Sequence, residues 1–172
     1  MGVNADKLKG NSVAREPGKV PRELLQLVGF HVGNEEFGID ILRVQEIIRA
    51  QQLTRVPNSP ECMEGVMNLR GKIIPVIALR KRFGLEEVPP DKQNRIVVVE
   101  IQGTVFGFVV DAVSEVLRLP ADTVESPPRL SSVEREYVAG VGTLGDRLLI
   151  LLNPDQLLDG SEQTSSAAAA SA

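Results

Sequence analysis

The chain has 172 residues and a net charge of −4, with 42% apolar and 24% charged residues, proportions ordinary for a soluble globular protein. It has no Trp, one Tyr and five Phe, so its core must be aliphatic, and it lacks the basic face and stacking aromatics of a nucleic-acid binder. A single Cys62 excludes an intrachain disulfide, no apolar run reaches the roughly 18 residues of a membrane helix, and Met1–Pro21 lacks the apolar segment of a signal peptide; a cytoplasmic location is the simplest expectation.

In chain order, residues 1–22 are polar and Gly/Pro-rich and read as a disordered leader. Short apolar runs rich in β-branched residues then predict strands at Leu24–Val32, Phe37–Ile41 and Val44–Ile48. Gly65–Leu69 and Lys72–Leu79 flank Arg70-Gly71, a hairpin turn in which Gly supplies a positive φ. Pro75 inside the second of these predicts an edge strand or a bulge. Ala78–Phe83 reads as a short helix ended by Gly84, with Arg80-Lys81-Arg82 on its solvated face. Pro89-Pro90-Asp91-Lys92 punctuates the middle. Strand patterns resume at Ile96–Ile101, Thr104–Val110, Val113–Leu119, Tyr137–Leu144 and Arg147–Leu152. Asn153-Pro154 then opens a last helix, residues 154–158, and the Ser/Ala-rich residues 159–172 read as a disordered tail.

The second half repeats the first. At a separation of 69 positions Phe37-Gly38 matches Phe106-Gly107, Val44 matches Val113, Glu46 matches Glu115 and Arg49 matches Arg118. Further on the separation is 75, pairing Gly65-Val66 with Gly140-Val141, Leu69 with Leu144, and Lys72-Ile73-Ile74 with Arg147-Leu148-Leu149. Chance likeness between two β-rich segments is the alternative, but two matched blocks in one order favour duplication. A unit of this size is marginal alone, and short strands joined by tight turns commonly close into a small barrel. The expected fold is therefore mainly β: two similar small barrels packed together, with a short connecting helix and a short C-terminal helix. The first barrel is expected at residues 24–90, with strand exchange open, and the second at residues 94–153.

Reactive chemistry is not apparent. His31 is the only histidine and cannot build a zinc site without partners, so a structural or solvent-facing role is expected. Cys62 carries no signature of a nucleophile and reads as a small buried hydrophobe. Gly140-Val141-Gly142-Thr143-Leu144-Gly145 has dinucleotide-fingerprint spacing, but a strand pattern follows where a helix is required. No enzyme activity, cofactor or metal is expected. A small-molecule or oligonucleotide binder using the barrel mouths is the rival class, and the acidic charge counts against nucleic acid.

The copies differ at Arg70, opposite Gly145. Arg offers a rigid five-donor fork for carboxylates. Glu46 can pair with it if their strands are adjacent; otherwise the two are unrelated surface charges. Thr54, Val56 and Pro57 lie in a connector whose apolar residues are either tucked under the barrel or part of a partner patch.

Phe37-Gly38-Ile39-Asp40-Ile41 through Val44-Gln45-Glu46-Ile47, Arg55-Val56-Pro57, Gly65-Val66-Met67-Asn68-Leu69-Arg70-Gly71, Pro75-Val76 and Gly145-Asp146-Arg147-Leu148-Leu149-Ile150 together resemble the CheW family, the coupling proteins of bacterial chemotaxis arrays. The likeness spans Leu24 to Leu158. It implies two five-stranded, SH3-like barrels and a scaffold between the cytoplasmic tip of methyl-accepting chemoreceptors and a CheA-type histidine kinase, located in the cytoplasm at receptor arrays. An adaptor of a parallel pathway controlling surface motility or another output is the alternative it leaves open. It further implies a receptor-binding groove at Ile41, Val44, Glu46 and Arg70, a kinase contact at Thr54, Val56 and Pro57, and a second kinase contact at Arg129 and Leu130. Ala78 stands where that family often has Asp, and Ala is the poorer helix cap, by about 1 kcal/mol.

Overall fold

A computed structural model describes residues 23–126 and 137–157. Ten strands form two five-stranded sheets. In chain order they are β1 (Leu24–Val32), β2 (Glu35–Asp40), β3 (Val44–Arg49), β4 (Met63–Leu69), β5 (Lys72–Ala78), β6 (Arg95–Ile101), β7 (Thr104–Val110), β8 (Ala112–Pro120), β9 (Val138–Leu144) and β10 (Arg147–Leu152). One sheet has the order β8-β1-β2-β10-β9 and the other β3-β6-β7-β5-β4.

Adding five to each strand number turns one order into the other, so the sequence repeat is a repeat of topology. Even the parallel pairings coincide: Leu151 faces Gly38 in one sheet, and their counterparts Val76 and Gly107 face each other in the other. Neither sheet comes from one contiguous stretch. The first holds β1 and β2 of the first copy with β8, β9 and β10 of the second, so a division near residues 90–94 does not separate the sheets. Among these strands the chain passes between sheets twice, at the β2–β3 and β7–β8 junctions.

Strand alternation sorts the apolar side chains into three clusters. On β6, Val97, Val99 and Ile101 enter a central core shared by both sheets, whereas Ile96 and Val98 point to the far side with Met67, Ile74 and Val76. On β10, Ile150 and Leu152 enter the central core, whereas Leu149 and Leu151 join Leu27, Leu117 and Leu119. Phe30, Phe37 and Phe83 stack in sequence through the centre, with successive ring centroids 5.9 and 5.1 Å apart, and Tyr137 packs tilted against Phe83 at 6.2 Å. The largest cluster therefore lies between the sheets and ties the two copies together.

The edge strands of each sheet share no ladder; a one-residue bridge from the following connector spans the gap. Thr54 bridges to Val66 and Glu125 to Val141. Glycine makes both bridges sterically feasible: a Cβ on Gly65 would sit 2.5 Å from the Thr54 carbonyl oxygen, and one on Gly140 would sit 2.4 Å from Val124 Cγ1.

Three local expectations change. Of the edge and the bulge expected at Pro75, the edge fails, since β5 lies between β4 and β7, while the β4–β5 register does shift between Met63 and Gly65, opposite Ile77 and Val76. Pro75 lies opposite Val66, whose N–H and C=O bond Thr54 instead, and the β7 ladder covers only Val76–Ala78, so no ladder needs the missing N–H. The strand expected through Ile41 ends at Asp40, whose carboxylate accepts from Leu42 N–H at 2.9 Å and caps a 3-10 turn, Ile41–Arg43. The helix α1, Leu79–Arg82, is shorter than expected, and its cap Ala78 makes no side-chain hydrogen bond. At the equivalent place Asn153 Oδ1 accepts from Asp155 N–H at 3.2 Å, opening a helical turn at residues 154–157.

Candidate functional site

Glu46 stands on β3 and Arg70 in the β4–β5 turn, at opposite edges of one sheet. Their strands are not hydrogen-bonded neighbours, yet Arg70 Nη1 donates to Glu46 Oε2, so the pair crosses the same gap that the Thr54–Val66 bridge spans. Arg70 itself has φ 52° and Gly71 has φ 85°. Both central residues of the turn are thus left-handed, the arrangement that matches strand twist in a two-residue hairpin. In the pseudo-equivalent hairpin only the first central residue is left-handed, and it is Gly145, φ 61°. Asn68 Oδ1 accepts from Gly71 N–H at 2.9 Å and fixes the turn. Arg70 is 77% exposed while Glu46 is largely covered, so the guanidinium is held in place and still faces solvent.

Val44 begins β3 and packs partly against the central core. Ile41 is half-buried in the 3-10 turn that carries the chain from one sheet to the other. Leu42 beside it is 88% exposed, the largest exposure of any big apolar residue described. In the sequence Leu42 follows an apparent strand, Phe37–Ile41, and its only signal is Asp40, the residue able to cap a turn there. Ile41, Leu42, Val44, Glu46 and Arg70 thus run from the sheet crossing along β3 to the β4–β5 turn.

The connector after β3 places Thr54 in its bridge, with N–H and C=O bonded to Val66 at 3.0 and 2.8 Å. Val56 and Pro57 are exposed. Ser59 Oγ donates to Val56 O at 2.8 Å, which tightens the bend around Asn58, φ 62°. Val56, Pro57, Asn58 and Ser59, though not Thr54, line a concavity of about 530 Å³ that also includes Met63, Lys81 and Glu87. Arg129 and Leu130 lie outside the described residues.

Two polar clusters were not foreseen. Arg80 and Lys81 do not form a solvated face. Arg80 Nε and Nη2 donate to Asp111 at 2.9 and 2.8 Å, and Asp111 Oδ2 also accepts from Gly33 N–H at 2.8 Å. Lys81 Nζ lies 3.2 Å from Glu64 and 3.4 Å from Glu87. Arg82 stacks over the Tyr137 ring at 4.8 Å. In the other sheet Glu36, 9% exposed, accepts from Arg147 and, at 3.0 Å, from Ser114 Oγ. The Arg147 hydrogen bond holds its carboxyl below the ordinary value although burial pushes the other way. Arg147 also donates to Glu115, the counterpart of Glu46, at 3.0 Å. So both copies pair this glutamate with an arginine, but from hairpin positions two residues apart.

His31 is half-exposed with Nε2 4.0 Å from Glu36 Oε2, and Cys62 packs half-buried against the central core. The Gly140–Gly145 run forms β9 and its turn, followed by strand. Among the described residues no three His, Cys, Asp or Glu side chains are grouped to hold a metal ion, and no helix is long and apolar enough to cross a membrane.

A family model described as the CheW-like domain matches residues 26–162. The chain belongs to the CheW-like family. It is 41% identical over 161 residues to the chemotaxis protein CheW of Klebsiella aerogenes, covering 93% of this chain and 91% of that protein. It is 36% identical to the chemotaxis protein CheW of Helicobacter pylori, covering 79% of this chain and 82% of that one. The crystal structure of the scaffolding protein TtCheW from Thermoanaerobacter tengcongensis superposes with a TM-score of 0.75 at 37% identity, covering 80% of this chain and 94% of that one. The two-sheet fold is thus similar to a solved CheW fold as well as related in sequence.

Proposed function

We propose that this CheW-like protein is a non-catalytic cytoplasmic scaffold that couples the tip of methyl-accepting chemoreceptors to a CheA-type histidine kinase, altering kinase output by position rather than chemistry. One observation carries the reading: Arg70 occupies a left-handed turn position where the sister copy has Gly, and it is 77% exposed. An L-residue there costs about 1 kcal/mol, and an exposed ion pair returns only about 0–1 kcal/mol. Such strain at an exposed site is the mark of a residue retained for contact.

The receptor hairpin is assigned to Ile41, Leu42, Val44, Glu46 and Arg70, where an exposed leucine adjoins a fixed charge pair. Apolar anchors beside one placed guanidinium suit a helical partner. The kinase is assigned to Thr54, Val56 and Pro57, on a connector anchored by its bridge to β4, with a second contact at Arg129 and Leu130. Array association follows from simultaneous binding.

The test is Arg70→Glu in reconstituted receptor–kinase arrays. The variant should fold as the parent does and lose most receptor-dependent kinase activation. Full activation by a folded Arg70→Glu protein would refute the assignment.

A further inference from the structure

The two junctions where the chain passes between sheets carry ion pairs of opposite polarity. At the β7–β8 junction the acid is Asp111 and the base, Arg80, sits on α1. At the β2–β3 junction the base is Arg43 and the acid, Asp155, sits on the helical turn at residues 154–157. Arg80 and Asp155 are equivalent at the separation of 75, and Asp111 aligns with Leu42, next to Arg43. The same mechanical place therefore holds an acid–base pair in one copy and its reverse in the other.

The two pairs are not equally engaged. Asp111 accepts from Arg80 and from Gly33 N–H at 2.8 Å, while its backbone bonds His31 O at 2.9 Å and Asn94 Nδ2 at 3.1 Å. That junction is closed. At the other, Arg43 Nη1 stands 3.6 Å from Asp155 Oδ1, beyond hydrogen-bond length. Asp155 Oδ1 is buried and has no hydrogen-bond partner among the described residues. A buried carboxylate oxygen without a donor is unfavourable, and the nearest guanidinium needs to approach by less than 1 Å to supply one.

Arg43 closes the 3-10 turn that presents Ile41 and Leu42. We propose that Asp155 is a positioning residue for the receptor-docking face: through Arg43 it sets the pitch of that turn, and the pair tightens when a partner covers Leu42. The coupling is physical, because covering Leu42 removes water from Arg43 and strengthens its attraction to Asp155. This inference rests on the docking face proposed above.

Binding of a purified receptor cytoplasmic-tip hairpin, measured by titration, tests it with Arg70→Glu as the control for the face itself. Asp155→Asn should keep the parental melting temperature and weaken binding about three- to tenfold, the scale of a coupling carried by one pair. The double exchange Arg43→Asp with Asp155→Arg should restore binding to within about twofold of the parent, since only the polarity of an ion pair has changed. Weakened binding by Arg70→Glu with parental binding by Asp155→Asn overturns the inference and leaves the docking face standing. Weakened binding that the exchange fails to restore also overturns it, by assigning Asp155 a purely structural role. Parental binding by Arg70→Glu overturns the face and the inference together.

Discussion

At Arg70 the proposed docking role and the stability of the fold pull in opposite directions. Because its φ is 52°, Arg70→Gly should leave the protein as stable as the parent or raise stability by up to about 1 kcal/mol, while receptor coupling falls. Chemical denaturation and a receptor-binding titration on the same sample check both halves of this expectation. Glu36 governs a pH dependence. Its carboxyl is held below the ordinary 4.5 by Arg147, so the folded state binds this proton less readily than the unfolded chain. The stability it contributes is complete above about pH 4.5 and is lost as pH falls through the lowered value. Glu36→Gln should flatten the acid limb of a stability–pH profile below that point; a limb of unchanged slope would contradict the assignment. Asp111 does two jobs, pairing with Arg80 and accepting from Gly33 N–H. Asp111→Ala should therefore cost about 2–3 kcal/mol, and exchanging Arg80 and Asp111 should not rescue it, because the Gly33 donor would still lack an acceptor. At this scale sequence pattern made Arg70 legible through the contrast with Gly145. It could not reveal Asp111, because one aspartate after a strand looks like any turn residue until three segments converge on it.

The elements show what a repeat leaves visible and what it hides. Strand positions followed from β-branched runs and turn glycines, and most bounds agree within a residue or two. Pro75 misled because proline reports only that an N–H is missing, not whether a neighbouring ladder would have needed it; here the β7 ladder begins one residue later. Gly65 and Gly140 looked like ordinary strand glycines until the connectors were seen to pass above them. Gly65→Ala should push the Thr54 carbonyl aside and loosen the connector that carries Val56 and Pro57, at a cost of about 1–3 kcal/mol. Faster hydrogen exchange at Val66 N–H, which bonds Thr54 O, would report it. The lack of a side-chain cap at Ala78 is visible in sequence and in structure alike. Ala78→Asp should stabilise α1 by up to about 1 kcal/mol, read as a rise in melting temperature.

Taken whole, the molecule is two copies of one topology that share their strands and their largest core. The duplication was readable from two offsets in the sequence. Which copy supplies which strand was not, since alternation specifies a strand's faces but not its neighbours. The exchange suits the proposed bridge: the Ile41–Arg70 face and the Thr54–Pro57 connector lie on one chain path and share the sheet that packs on the central core. Co-sedimentation of receptor-tip fragments and a CheA-type kinase with this protein tests the bridging claim most directly. The account predicts that kinase enters the receptor pellet only when the protein is present, and that Arg70→Glu removes protein and kinase from the pellet while leaving their binary complex intact. Kinase that pellets with receptors equally well without the protein, or with the Arg70→Glu variant, would contradict it.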